Sequence, residues 1–150
     1  MKKLLLSMTL SLLALAAVAE NKTLLNLDKS GVAIQGYDPV AFFTDNRPVK
    51  GDPKFVSTQN GATYRFASQE HKALFDADPT KYEPTFGGYC AFGVSHNKLV
   101  DVDVNAFQIV DGKLLLQHNK SVRDDFNKDL KGNLGKANAN WPGLLEKKSK

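Results

Sequence analysis

Alternating hydrophobic and polar residues predict two β-hairpins in this chain. Residues 54–58 and 62–66 alternate on either side of Asn60-Gly61, a dipeptide that accepts the positive φ angles of a tight turn. Residues 107–110 and 113–116 flank Asp111-Gly112 in the same way. Residues 98–103 also alternate, which predicts one further strand.

Helical spacing predicts one well-defined helix after the first hairpin. Ser68 is a natural N-cap, and the helix is expected to run from Gln69 to Ala77. His71, Leu74 and Phe75 follow at positions i, i+3 and i+4, so they are expected to share its apolar face. Asp78-Pro79 should end this helix and start a short turn that reaches Tyr82.

Three further segments have helical or turn character. Asp38-Pro39 can open a helical turn, because proline suits the first helical position. Residues 90–94 are predicted as a short helix or turn. Ser121 is expected to cap a final helix over residues 122–131, which Gly132 would end. The sequence therefore predicts one small α+β domain with two β-hairpins, a short antiparallel sheet and three to four short helices.

The N-terminal residues have the pattern of a signal peptide. Lys2 and Lys3 precede an apolar run over residues 4–18, and Ala17-Val18-Ala19 fits the small-residue cleavage pattern. We therefore expect residues 1–19 to be a signal peptide and residues 20–150 to form the mature domain, which ends in a helix and a basic tail. This implies a periplasmic or secreted protein with no membrane span after cleavage.

Charge does not indicate a nucleic-acid partner. The chain has 20 basic and 16 acidic residues, and removal of Lys2 and Lys3 leaves 18 against 16, a net charge of +2. Nucleic-acid binding would require a clustered basic face, which the sequence lacks. The oligomeric state does not follow from the sequence.

The single cysteine, Cys90, is the first candidate for chemistry. It excludes an internal disulfide, so Cys90 is a buried small side chain, a reactive thiol, an intermolecular partner or a metal ligand. Gly87 and Gly88 bring the backbone close to it. We assign no catalytic residue, because a Cys90–His pair would lack an orienting third member.

Histidines could complete a metal site with this thiol. A thiolate with one or two imidazoles suits Cu(I) or Zn(II), and His71 and His96 are the candidates beside Cys90. His71 could equally be a core histidine, and His96 could be an ordinary exposed turn residue. His118 is predicted to lie at the surface.

An aromatic pocket is the alternative to a metal site. The central region is rich in aromatic residues, and Tyr37, Tyr64 and Tyr89 could line a pocket below the Gly87-Gly88 loop. Tyrosine hydroxyl groups can orient a small ligand. This arrangement would serve a small-ligand or protein-interaction module in which Cys90 is only buried.

The order of these motifs resembles the YHS domain. The metal-linked modules of that family have D-P-V-C followed by Y-x-F-C-S-x-x-C and D-P-x-x-Y. The matching segments here are residues 38–41, 64–71 and 78–82. Ala41 and Ala67 stand at cysteine positions and cannot bind a metal, whereas His71 stands at a third.

The extended form of the motif is similar to exported, stand-alone YHS-domain proteins. It includes residues 87–91 and the hairpin around Asp111-Gly112. The resemblance implies transition-metal binding or trafficking, with copper or zinc held by Cys90 together with His71 or His96. A thiolate site in an oxidising compartment suits copper.

Overall fold

Four strands and six α-helices follow one another in the computed structural model, which describes residues 22–148. The predicted signal peptide lies outside the described residues, as do the last two residues of the basic tail. In chain order the elements are α1 (Ala41–Thr44), β1 (Asp52–Gln59), β2 (Ala62–Phe66), α2 (Gln69–Ala77), α3 (Pro79–Tyr82), α4 (Ala91–Ser95), β3 (Asp103–Val110), β4 (Lys113–Gln117), α5 (Lys120–Asn127) and α6 (Leu130–Lys148).

Both predicted hairpins are present. β1 pairs with β2 and β3 pairs with β4, each antiparallel, and the turn residues Asn60 and Asp111 have φ near +50° as the sequence predicts. In the described part of the chain the hairpins form two separate two-stranded sheets. A bridge between Pro84 and Leu114 ties the loop after α3 to β4.

Two hydrophobic clusters form the core. The first combines the buried aromatic side chains of α1, β2 and α2 with residues of β3 and β4. The second lies among α4, α5 and α6 and includes Phe126, Ala137 and Leu144. β4 contributes to both clusters, because Leu114 and Leu116 face the first and Leu115 faces the second. The fold class is therefore a small single α+β domain, as predicted.

The helix α2 has the predicted bounds, and the Ser68 hydroxyl accepts a hydrogen bond from the His71 backbone N–H at 3.1 Å. Its predicted apolar face is only partly buried. Phe75 is 1% exposed, whereas Leu74 is 43% exposed. Because the two residues are adjacent in sequence, their side chains project about 100° apart around the helix axis, and only Phe75 packs into the first cluster.

The C-terminal third differs most from the prediction. Asn119, not Ser121, caps α5, because its side chain accepts a hydrogen bond from the Val122 N–H at 2.8 Å. Gly132 does not end a helix but lies within the 19-residue α6. Packing against α4 buries Ala137 and Leu144 and outweighs the poor helix propensity of the glycines in α6. With α1 and α3 as short helices, the described residues contain more helices than the three to four predicted.

Residues 98–102 do not form the predicted strand, and β3 begins only at Asp103. The backbone there instead pairs with the N-cap residue of α4, because the Val100 carbonyl accepts a hydrogen bond from the Cys90 N–H at 2.9 Å. Among the helices that the structure describes, none is long and apolar enough to cross a membrane.

Candidate functional site

Cys90 lies directly before α4 as its N-cap residue. Its sulfur accepts a hydrogen bond from the Gly93 N–H at 3.4 Å, and its S–H donates to Oε1 of Gln117 at 3.3 Å. The side chain is 1% exposed. Gln117 is fully buried and also accepts the Phe92 N–H at 3.0 Å, while its Nε2 has no hydrogen-bond partner among the described residues. The thiol is therefore held by a buried amide.

Two histidines share a surface depression with Cys90. This Cys90 depression has a volume of about 220 Å³, and its lining includes Cys90, His96 and His118. Nδ1 of His96 lies 2.9 Å from the Phe92 carbonyl oxygen, and Nδ1 of His118 lies 3.0 Å from the Asp101 carbonyl oxygen. A carbonyl oxygen only accepts, so each Nδ1 donates its proton, which in the neutral imidazole leaves the lone pair on Nε2.

The Cys90 depression thus brings together two of the three predicted metal ligands and adds His118, which the sequence analysis placed at the surface. His118 is indeed exposed. No sequence signal identifies His118, because it reaches the depression only through the tertiary contact of its neighbour Gln117 with Cys90. Within residues 22–148, no three His, Cys, Asp or Glu side chains are close enough to hold one ion together as they stand.

His71 has different neighbours. Its Nδ1 lies 2.6 Å from Oδ2 of Asp38, a fully buried carboxylate. Its Nε2 lies 3.3 Å from the Thr44 hydroxyl oxygen and 4.0 Å from Oδ1 of Asp45. His71 does not line the Cys90 depression, so the structure separates it from the other two predicted ligands.

The three positions at which the resemblance implies cysteines all lie around Asp38. Its Oδ1 accepts the Val40 N–H at 2.8 Å and the Ala41 N–H at 3.3 Å, and its Oδ2 accepts the Ala67 N–H at 2.8 Å in addition to His71. Ala41, Ala67 and His71 therefore converge on one carboxylate. Two alanines and one histidine offer a metal a single side-chain donor, so these positions do not fit a thiolate site.

The three predicted pocket tyrosines lie in three places. Tyr37 is half-buried beneath the Lys50 ammonium group, which lies 4.6 Å from the ring centroid. The Tyr89 hydroxyl donates to the Leu25 carbonyl at 3.5 Å, and burial, together with the Asp101 charge, raises the pKa of Tyr89. Only Tyr64 lines a depression at the 85–88 turn, beside Gly87. The structure thus does not unite Tyr37, Tyr64 and Tyr89 in one pocket.

That turn has the close backbone approach that the glycines predict. Gly87 has φ +61°, and a Cβ atom on it would lie 1.9 Å from the Leu24 carbonyl oxygen. The preceding residue, Phe86, also has a positive φ of 55°, which is uncommon for a bulky side chain. The Asn26 N–H donates to the Gly87 carbonyl at 2.8 Å, so residues 22–27, the lead-in segment, are held against this turn.

Comparison with known proteins adds no relative. No family model matches the chain, and none of the curated proteins or solved structures matches it.

Proposed function

We propose that this protein binds Cu(I) or Zn(II) at the Cys90 depression. The observation that carries the proposal is that one thiol and two imidazoles, those of His96 and His118, line a single depression. Thiolate and imidazole groups are the donors that these ions prefer. Metal-binding histidines commonly donate their second ring N–H to a backbone carbonyl, as both imidazoles do here.

Binding would exchange the thiol proton for the metal. The Cys90 S–H now donates to Gln117, and this hydrogen bond is lost when the thiolate binds an ion. Metal uptake is therefore expected to release a proton and to weaken as the pH falls. The role is binding or transfer of the ion, without a catalytic step.

Metal titration of four single variants tests the site. Cys90→Ser should abolish tight binding of Cu(I) or Zn(II) by the reduced protein, and His96→Gln and His118→Gln should each weaken it by about tenfold or more, ~1.4 kcal/mol. His71→Gln is the matched control, because its imidazole lies outside the depression. Binding that survives in Cys90→Ser, or that falls equally in His71→Gln, refutes the proposal.

The resemblance to exported YHS-domain proteins belongs to the same proposal. The resemblance implies a metal-handling role, and the predicted signal peptide implies a periplasmic or secreted protein whose mature chain would start at Glu20. Expression of the full chain in a bacterium, followed by mass measurement of the exported product, tests this part. A product that keeps its first 19 residues would contradict it.

A further inference from the structure

A second depression, independent of the Cys90 depression, lies where the lead-in segment crosses the 85–88 turn and α6. We call it the Glu83 depression. Its volume is about 240 Å³, and it shares no residue with the Cys90 depression. The residues that carry the argument are Lys22, Tyr64, Glu83, Phe86 and Trp141, all of which line it.

Glu83 supplies a carboxylate that the fold leaves partly unsatisfied. Its Oε1 is buried and has no hydrogen-bond partner among the described residues. None of the ion pairs within residues 22–148 includes it. Burial raises the pKa of Glu83 above the ordinary glutamate value. A buried carboxylate oxygen without a donor is costly, so a ligand that brings positive charge would be stabilised there.

Three aromatic residues, Tyr64, Phe86 and Trp141, line the same depression. Phe86 and Trp141 meet edge to face with their centroids 5.8 Å apart. Tyr64 lies close enough to Glu83 that its pKa is raised, first by burial and then by the negative charge of that carboxylate. Aromatic faces attract cations, and the attraction grows where water is excluded.

We propose that the Glu83 depression binds a small organic ammonium ion, with Glu83 as the counter-charge and Tyr64, Phe86 and Trp141 as the aromatic walls. Charge complementarity favours a cation over a neutral ligand of the same shape, because the free oxygen of Glu83 accepts but cannot donate while it is ionised. Lys22 is exposed and lies at the depression without pairing with Glu83 among the described contacts. An anionic ligand would depend on this lysine, whereas an ammonium ion would not.

Fluorescence of the single tryptophan tests the proposal, because Trp141 lies in the depression and reports occupancy directly. The probes are choline and its neutral isostere 3,3-dimethylbutan-1-ol. We expect choline to change the emission saturably and the isostere to bind about tenfold more weakly or not at all. Equal responses to both probes, or no response to choline, would overturn the proposal.

Matched variants separate the charge from the shape of the depression. Glu83→Gln keeps the size of the side chain and should lower choline affinity by about tenfold, whereas Glu70→Gln on the exposed surface of α2 should leave it unchanged. Lys22→Ala should retain or improve choline binding. Loss of choline binding in Lys22→Ala, or full binding in Glu83→Gln, would overturn the assignment. Cys90→Ser should bind choline normally, so failure of the metal proposal does not affect this test.

Discussion

Replacement of Asp38 by alanine should be among the most destabilising single changes in this protein. Asp38 is fully buried and accepts four hydrogen bonds, from the backbone N–H groups of Val40, Ala41 and Ala67 and from the His71 ring. Hydrogen bonds to a charged group contribute about 1.5–3 kcal/mol each, but bonds to one carboxylate are not additive. Removal of the carboxylate leaves buried N–H donors unsatisfied, at about 1–3 kcal/mol each, and we take about 3–5 kcal/mol in total as the expected effect.

The assay is equilibrium unfolding in urea, checked by thermal denaturation. A loss of this size corresponds to a fall in Tm of roughly 10–20 °C for a domain of this length. Asp38→Asn should cost less, about 2–3 kcal/mol, because its oxygen still serves Val40 and Ala41 while its amide opposes the Ala67 N–H. Asp45→Ala is the control, since Asp45 is a partly exposed carboxylate 4.0 Å from the same imidazole, and it should cost under about 1 kcal/mol.

A double-mutant cycle between Asp38→Ala and His71→Ala isolates their contact. The coupling free energy should be about 1–3 kcal/mol, because the two side chains meet at 2.6 Å in a site closed to solvent on the carboxylate side. If Asp38→Ala lowers the free energy of unfolding by less than about 1 kcal/mol, this would refute the claim that the carboxylate holds residues 38–41 and 64–71 together.

Two further predictions concern backbone geometry and pH. Gly87→Ala should lower the free energy of unfolding in urea by about 2–4 kcal/mol, because the positive φ is strained for alanine and the new Cβ would collide with the Leu24 carbonyl. The control is Gly135→Ala, which lies in open space on α6 and should stabilise the protein by about 0.5–1 kcal/mol. Equal effects of the two substitutions would refute the close approach at Gly87. Burial raises the pKa of Glu83 in the folded state. The stability that protonated Glu83 gives the folded state is therefore fully present below the unfolded pKa and is lost as the pH rises through the folded pKa. The Glu83→Gln variant should therefore be at least as stable as the wild type at pH 7, and the difference in stability should vanish in acid. A difference in favour of the variant that grows in acid would contradict the claim that burial raises the pKa of Glu83.

Local signals predicted those parts of the fold that depend on a few adjacent residues. The two hairpin turns and the exact bounds of α2 follow from turn dipeptides, an N-cap serine and a proline. α6 was missed because its sequence contains several glycines and Pro142, and only packing against α4 makes the helix favourable. Leu74 lies on the predicted apolar face of α2 but is 43% exposed, because spacing defines a face of a helix but not how wide the buried part of that face is.

The candidate sites depend on long-range contacts that spacing does not reveal. Cys90 and His96 were predicted together because they are close in sequence, but His118 joins them only through the position of β4. Glu83 and Trp141 lie 58 residues apart and line one depression because α6 returns to the 85–88 turn, where Trp141 contacts Phe86. Neither residue has a sequence neighbour that signals a ligand.

Asp38 holds together, without a metal, the segments that resemble the YHS motif. The three positions at which the resemblance expects cysteines all hydrogen bond to this one carboxylate. A metal would hold those segments together by coordination, and the carboxylate does so with three backbone N–H groups and one imidazole. The segments can therefore stay in place without a metal, and the proposed metal site lies elsewhere, at the end of β4 where Gln117 contacts the Cys90 thiol. Asp38→Ala would then destabilise the scaffold, while Cys90→Ser would remove metal binding and leave the fold intact.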